Sequence, residues 1–116
     1  MSKVIVVDSE SLIFDDGLVL SAQHYSDCCE NHWLSFSDLK LEDFEGLEFD
    51  LLKSETIEKI EDYGIALHPI QGHPIRIPGY GSNNGYYSKI LTLIISDKDG
   101  KEVYTSDITN CQVIEG

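Results

Sequence analysis

The sequence predicts one α+β domain, mainly β, spanning residues 1–116. Hairpins build an antiparallel sheet of about seven strands, with one short helix at about residues 38–45. Apolar residues alternate with polar ones in several short segments, which is typical of half-buried strands. Asp-Gly steps separate pairs of these segments, as they do in β-hairpins. The connections are therefore hairpins and not crossover helices, which favours antiparallel pairing.

The first hairpin is predicted at residues 11–24. Apolar side chains occupy alternate positions on both sides of Asp15-Asp16-Gly17, and an Asp-Gly step suits a tight hairpin turn. Residues 4–7 are all apolar and predict a short preceding strand. His24 stands in phase with Leu20, so we expect its side chain to face the core.

The middle of the chain predicts a strand on each side of the short helix. Residues 33–36 carry Trp, Leu and Phe and predict the first of them. Ser37 is a candidate N-cap followed by acidic residues that favour a first helical turn, and Gly46 predicts the end of the helix. Residues 47–51 alternate again and predict the second strand. Residues 56–60 fit either a continuation of that strand or a helical turn.

Prolines and glycines predict irregular structure in the next part of the chain. Pro69, Pro74 and Pro78 have no N–H for a sheet ladder, so their segments belong at a sheet edge or in loops. Residues 79–85 are rich in Gly, Ser and Asn and predict a surface loop.

The last part of the chain predicts a central strand and a second hairpin. Residues 86–96 form the most apolar segment, with apolar side chains on both faces. Residues 97–100, Asp-Lys-Asp-Gly, predict a turn, and residues 102–105 return as the partner strand. Residues 111–114 predict a short final strand.

The balance of charge is strongly acidic. The chain has 21 acidic and 8 basic residues, a net charge of −13, and residues 1–62 alone carry 16 acids and 4 bases. Such a surface repels phosphate backbones and anionic lipids, so the sequence excludes nucleic acid and membrane as partners. Basic protein surfaces, cations and neutral small molecules remain as possible partners. The alternative is that the acidic residues keep a small domain soluble.

The cysteines and the apolar runs predict a cytoplasmic location. The chain has three cysteines: Cys28, Cys29 and Cys111. An odd number with two adjacent thiols is a poor disulfide framework and suits a reducing compartment. The apolar run at residues 4–7 is too short for a signal-peptide core. No run approaches the roughly 20 apolar residues of a membrane helix.

Two motifs resemble a known family. His24-x-x-Asp27-Cys28-Cys29-Glu30 follows the first hairpin, and Asn84-Gly85-Tyr86-Tyr87-Ser88 leads into the apolar strand. In this order the chain resembles, over about residues 11–108, a family of small bacteriophage and bacterial proteins classed as a domain of unknown function. It departs from that family in its short N-terminal arm and in the prolines of residues 69–78. The resemblance implies a phage or mobile-element origin and brings no activity with it.

A cluster of possible metal ligands falls within nine residues: His24, Cys28, Cys29 and His32. Imidazole and thiolate are zinc ligands, so a zinc site is one interpretation. Adjacent cysteines in an extended segment point to opposite faces, which opposes sharing one tetrahedral ion. Buried structural thiols are the favoured interpretation, and no cofactor is predicted.

The same segment has the residue types of a thiol enzyme. A cysteine would be the nucleophile, His24 or His32 the base, and Asp27 or Glu30 the group that orients the base. Reactive thiols usually lie near positive charge, however, and residues 4–39 contain no Lys or Arg. The sequence therefore disfavours an enzyme.

The best binding candidates lie in and beside the glycine-rich loop: Arg76, Tyr80, Asn83, Asn84, Tyr86 and Tyr87. Tyrosines among glycines and asparagines offer large contact areas with adaptable hydrogen bonding. We expect Tyr80 to be more exposed than Tyr86 and Tyr87, so that Tyr80→Ala leaves stability nearly unchanged. One of Tyr86 and Tyr87 then packs on the core. The alternative is a surface loop that binds nothing.

Three functional hypotheses follow from these features. The first and favoured one is a non-enzymatic protein-interaction or accessory domain that binds a protein partner. The second is a small thiol enzyme or zinc protein centred on the Cys28-Cys29 segment. The third is an acidic mimic of nucleic acid, which requires carboxylates in rows on one exposed face.

We expect the purified domain not to bind duplex DNA at physiological salt. The acidic residues of positions 1–62 repel phosphates, and few bases are present to displace counterions. An electrophoretic mobility shift assay with a random duplex tests this. A shifted band that weakens as salt is raised would contradict the prediction.

Overall fold

Apolar alternation and tight turns organise the chain into strands. The computed structural model describes residues 2–24, 31–53, 55–82 and 91–115. Strands make up 49% and helix 4% of the structure, which confirms the mainly β fold class. The strands are β1 (Val4–Val7), β2 (Ser11–Phe14), β3 (Val19–His24), β4 (Asn31–Leu34), β5 (Ile57–Ile60), β6 (Gly64–Leu67), β7 (Ile75–Ser82), β8 (Leu91–Ser96), β9 (Glu102–Asp107) and β10 (Val113–Glu115).

The first sheet has five antiparallel strands in the order β1-β2-β3-β8-β9. Leu12, Leu20 and Ile95 stand opposite one another across β2, β3 and β8, and all three are fully buried. Tyr104 of β9 continues this row and packs on the core. The period-two alternation seen in the sequence therefore marks the core face of this sheet.

The two predicted hairpin turns are confirmed. Gly17 and Gly100 have φ values of 89° and 83°, a region that glycine enters without steric cost. The Asp97 carboxylate accepts hydrogen bonds from the backbone N–H groups of Asp99 and Lys101, each at 2.9 Å. This local bonding holds the second turn in shape.

The second sheet is arranged around β7. Its strand order is β10-β7-β6-β5, and β4 pairs with β7 as well. The first half of β7 pairs with β6, and the second half lies between β4 and β10. β10 runs parallel to β7, while the other strand pairs are antiparallel. One eight-residue strand thus holds three neighbours in place.

A single apolar core joins the two sheets. Both sheets and the segment between β4 and β5 contribute side chains to it. Phe49 lies at the centre of a ring cluster, with ring centroids 6.2 Å from Phe14 and 6.3 Å from Phe44 in edge-to-face arrangements. The fully buried large side chains are Leu12, Phe14, Leu20, Phe36, Phe49, Ile65, Leu67, Ile77, Leu91, Leu93, Ile95 and Ile108.

The helix is shorter than the predicted residues 38–45. It is one 3-10 turn at Leu41–Phe44, the sole helix of the described residues, and no described helix could cross a membrane. The Asp43 carboxylate accepts from Lys40 N–H at 2.9 Å, whereas the Ser37 hydroxyl bonds the Ser35 hydroxyl at 3.1 Å. Gly46, with φ of 77°, then turns the chain away after a single turn.

The strand predicted at residues 47–51 is wrong. Phe49 makes only an isolated bridge with Ser2, in which each N–H donates to the other residue's carbonyl at 2.8 Å. The alternation of apolar residues at 47–51 reflects burial and not strand pairing, because Phe49 and Leu51 are core residues and Leu47 packs against the core. Within residues 56–60, Ile57–Ile60 form a strand, β5.

The loop predicted at residues 79–85 is wrong for its described part, because residues 79–82 belong to β7. Pro78 also lies inside this strand. Gly79 N–H donates to Tyr63, on the β6 side, so the N–H that Pro78 lacks would point to the other side of β7. There its carbonyl accepts from Ser35 N–H at 2.8 Å. The proline therefore costs the β6 ladder no hydrogen bond.

Gly64→Ala is expected to destabilise the protein by about 3 kcal/mol or more, because overpacking against backbone cannot relax cheaply. An added Cβ would lie 2.1 Å from the Ile77 carbonyl oxygen and 2.8 Å from Pro78 Cα. Gly46→Ala is the control: φ is positive there too, but nothing lies within 4 Å, so a loss of about 1 kcal/mol is expected. Urea denaturation compares them, and equal losses would contradict the close approach at β6 and β7.

Candidate functional site

Three neighbouring strands present a row of apolar side chains on the outside of the second sheet. Trp33 of β4 stands opposite Tyr80 of β7, and Tyr80 stands opposite Val113 of β10. Residues directly opposite one another project on the same face of a sheet. Trp33 and Val113 are each 40% exposed, and Tyr80 between them is half-buried. We call Trp33, Tyr80 and Val113 the aromatic row.

The two rings of the row pack on each other. Their centroids are 6.0 Å apart and their planes are inclined by 43°. Centroid separations of about 4.5–7 Å in tilted arrangements are favourable for aromatic pairs. Each ring limits the freedom of the other, so the row is ordered before any partner arrives, and ordering costs on binding are reduced.

Period-two alternation places a polar group directly beneath the row. His32, Gly81 and Gln112 each adjoin a member of the row in sequence, and all three are buried. His32 Nδ1 lies 2.6 Å from Gln112 Oε1. Gly81 leaves room for this contact, because a Cβ there would be 2.3 Å from His32 Nδ1.

The direction of this hydrogen bond follows from its neighbour. Gln112 Nε2 donates to the Thr109 carbonyl at 2.7 Å, so the amide presents its oxygen to His32. The proton therefore resides on His32 Nδ1, which donates to Gln112 Oε1. The bond spans β7 and ties β4 to the residue before β10.

The turn that leads into β10 is itself held by hydrogen bonds. The Asp107 carboxylate accepts from both the hydroxyl and the backbone N–H of Thr109, the latter at 2.9 Å. These hydrogen bonds lower the pKa of Asp107. Thr109 in turn accepts from Gln112, so bonds lead from the end of β9 to the start of β10.

The structure brings together only part of the predicted binding site. Tyr80 and Arg76 both lie on β7 at positions of the same phase, and so on the same face, with Pro78 between them. Tyr80 is half-buried in a strand, so its predicted place in a loop is wrong. The remaining predicted residues, Asn83, Asn84, Tyr86 and Tyr87, lie outside the described residues.

Trp33 and Val113 were not among the predicted binding residues. The sequence places Trp33 in a strand, but its pairing with Tyr80 joins residues far apart in the chain. The available signal was the single tryptophan of the chain, placed in a predicted strand.

The candidate ligands of the zinc and thiol hypotheses are largely outside the described residues. Cys28 and Cys29 lie there, and the His24 side chain is likewise not described. His32 is 3% exposed and hydrogen-bonded to Gln112. Within the described ranges, no group of three or more His, Cys, Asp or Glu side chains is placed to hold a metal ion. Burial raises the pKa of the Cys111 thiol, which disfavours the thiolate.

The two predicted motif segments start and end beside one another. His24 stands opposite Leu91 in the first sheet, and Asn31 stands opposite Ser82 in the second. Two of the three connections between the sheets, residues 25–30 and 83–90, therefore start and end at these neighbouring strand ends, and residues 108–112 form the third. The aromatic row lies two residues along β4 and β7 from one of these ends.

Comparisons with protein-family models, curated proteins and solved structures found no match. The resemblance to a phage and bacterial family therefore stays a prediction.

A double-mutant cycle tests the packing of the two rings. We expect Trp33→Ala and Tyr80→Ala to couple by about 0.5–1 kcal/mol, as cross-strand aromatic pairs do. Urea denaturation followed by far-UV circular dichroism gives the four free energies, because Trp33 is the single tryptophan and cannot serve as a common probe. Val103→Ala, at an exposed position of β9, is expected to change stability by less than about 0.5 kcal/mol. Additive effects of the two ring deletions would contradict the packing of Trp33 on Tyr80.

Proposed function

We propose that the protein is a non-enzymatic interaction domain that binds a protein partner through the aromatic row. The observation that carries this proposal is the ordered Trp33–Tyr80 pair on the outer face of the second sheet. Tryptophan and tyrosine are enriched among residues that dominate binding energy at protein interfaces. Val113 extends the apolar contact across three strands.

The chemistry of the row favours binding over catalysis. Its groups are two aromatic rings and one aliphatic side chain, and the polar groups among them are the indole N–H and the phenol hydroxyl. The polar pair beneath it, His32 and Gln112, is buried and occupied in holding β4 and β10 together. A surface of this kind offers area and shape to a partner.

The net charge indicates the character of the partner. A charge of −13 on a small domain attracts basic surfaces and speeds their association. Arginine or lysine side chains of such a partner could stack on the faces of Trp33 and Tyr80, which adds cation–π attraction. The proposal is therefore a partner with a basic surface and an apolar contact point.

Several acidic residues have a local hydrogen-bonding role, which does not require mimicry of nucleic acid. The Asp15 carboxylate accepts from Lys3 N–H at 3.1 Å, and Asp16 accepts from the Ser2 hydroxyl at 2.5 Å. Asp43 bonds the backbone at the start of the 3-10 helix. These carboxylates stabilise turns and helix ends, which favours the interaction domain over the mimic.

Site-specific photo-crosslinking tests the proposed interaction surface. A benzophenone amino acid replaces Val113 in one variant and Val103 in the other. The two positions have nearly the same exposure, 40% and 41%, but Val103 lies on β9 of the first sheet. In the cells from which the protein comes, we expect a discrete crosslinked partner from position 113 and not from 103.

A second substitution separates specific from chance crosslinks. Trp33→Ala in the position-113 variant should reduce the crosslinked product at least tenfold, because loss of a central aromatic contact costs roughly 2 kcal/mol or more. Trp33→Phe should retain a measurable part of it. The proposal fails if positions 113 and 103 capture the same proteins equally, or if Trp33→Ala leaves the product unchanged.

A further inference from the structure

β1 is an unusual edge strand. The edge strands β5 and β9 carry charged side chains, among them Glu58 and Lys59 in β5, and such charges deter pairing with another chain. β1 has the sequence Val-Ile-Val-Val and carries no charge. Ile5 is 49% and Val6 43% exposed. A register shift between Val4 and Val6 is its one irregular feature.

The outer edge of β1 has outward-pointing backbone groups at Val4, a residue that is only 7% exposed. Asp15 N–H donates to the Lys3 carbonyl on the β2 side, whereas Ser2 pairs with Phe49 on the opposite side. Phe14 N–H donates to Leu18, so the Val4–Phe14 pair is not bonded across β1 and β2. The amide and carbonyl of Val4 therefore point outward, next to the Ser2–Phe49 bridge. Among the described residues, no backbone or side-chain group bonds to them.

A groove accompanies this edge. It has a volume of about 460 Å³ and lies between β1 and the 3-10 helix, lined by Val4, Ile5, Leu41, Glu42 and Glu45. Leu41 is 51% exposed, so with Ile5 it forms an apolar floor. The two glutamates add negative charge at the helix side, and both are exposed.

We infer that this edge is a second binding site, which takes an extended peptide segment with alternating apolar and basic side chains. The segment adds a strand to the first sheet by bonding the outer edge of β1, in the manner of β-augmentation. Its apolar side chains contact Ile5 and Leu41, and its basic side chains pair with Glu42 and Glu45. The inference concerns a different surface from the aromatic row and does not rest on it.

Charge selects this occupant over a second copy of the chain. A copy would bring its own Glu42 and Glu45 and a further charge of −13 to the same place. A basic segment faces no such repulsion, and four residues of β1 accommodate about four or five residues of partner.

The experiment uses a fluorescent seven-residue peptide of alternating Lys and Val, with binding followed by anisotropy. The full-length protein should bind it, and a Glu-Val peptide should not. N-methylation of the valines removes the N–H groups needed for strand pairing and should weaken binding about tenfold or more. ¹⁵N chemical-shift changes should centre on the amides of residues 4–7.

Matched variants distinguish the groove from general attraction to an acidic protein. Glu42→Gln with Glu45→Gln should weaken binding roughly three- to tenfold at low salt. Glu61→Gln with Glu102→Gln makes the same change in net charge elsewhere and should alter it less than twofold. Leu41→Ser should weaken binding, while Leu52→Ser, at a residue 62% exposed outside the groove, should not.

Several outcomes would overturn the inference. Equal weakening by the two glutamine pairs would show unspecific attraction, and unchanged affinity of the N-methylated peptide would exclude strand addition. Dimerisation of the free protein that is lost in the Leu41→Ser variant would make a second copy the occupant. Trp33→Ala should leave peptide affinity unchanged, so failure at β1 and failure at the aromatic row remain separate results.

Discussion

The second sheet depends on two positions of β7 that must have no side chain. A Cβ at Gly79 would lie 2.5 Å from the Cys111 carbonyl oxygen, and one at Gly81 would lie 2.3 Å from His32 Nδ1. Because neither Cβ is present, the backbone around Cys111 can approach β7. The His32 side chain can also reach across β7 to Gln112, with Nδ1 2.6 Å from Oε1. Both glycines face inward, and a larger residue at either would separate the neighbouring strands.

The order of the outer face of the second sheet depends on these inward-facing glycines and the hydrogen bond that they permit. β10 has only three residues and pairs in parallel, an arrangement with little stability of its own. The Gln112 side chain, bonded to His32 and Thr109, fixes where β10 begins. Val113 is the next residue, so its place beside Tyr80 follows from the buried bond. A binding surface prepared in this way loses less conformational freedom when a partner docks.

Local patterns predicted the fold class and the turns, whereas contacts between distant residues decided the site. The Asp-Gly turns at Gly17 and Gly100 need only a positive φ, which neighbouring residues signal directly. The glycine-rich composition of residues 79–85 predicts a loop, but the same composition also suits a strand that other backbones approach closely, as residues 79–82 do. Likewise, the alternation around Phe49 indicates a buried extended segment but does not say whether a strand edge is available beside it. The Trp33–Tyr80 pair has no local pattern at all, since its geometry follows from the pairing of β4 with β7.

The charged residues are placed differently at the different strand edges. On β5 the charges lie on the strand itself, at Glu58 and Lys59, where they oppose pairing with any incoming strand. Beside β1 they lie in and just after the 3-10 helix, at Glu42 and Glu45, where they line the groove along the apolar edge. Like charge then rejects a second copy of the chain, whereas opposite charge attracts a basic segment. In the proposed arrangement, the net charge of −13 therefore serves selectivity as well as solubility, because the residues that prevent self-association at this edge are those that recognise the partner.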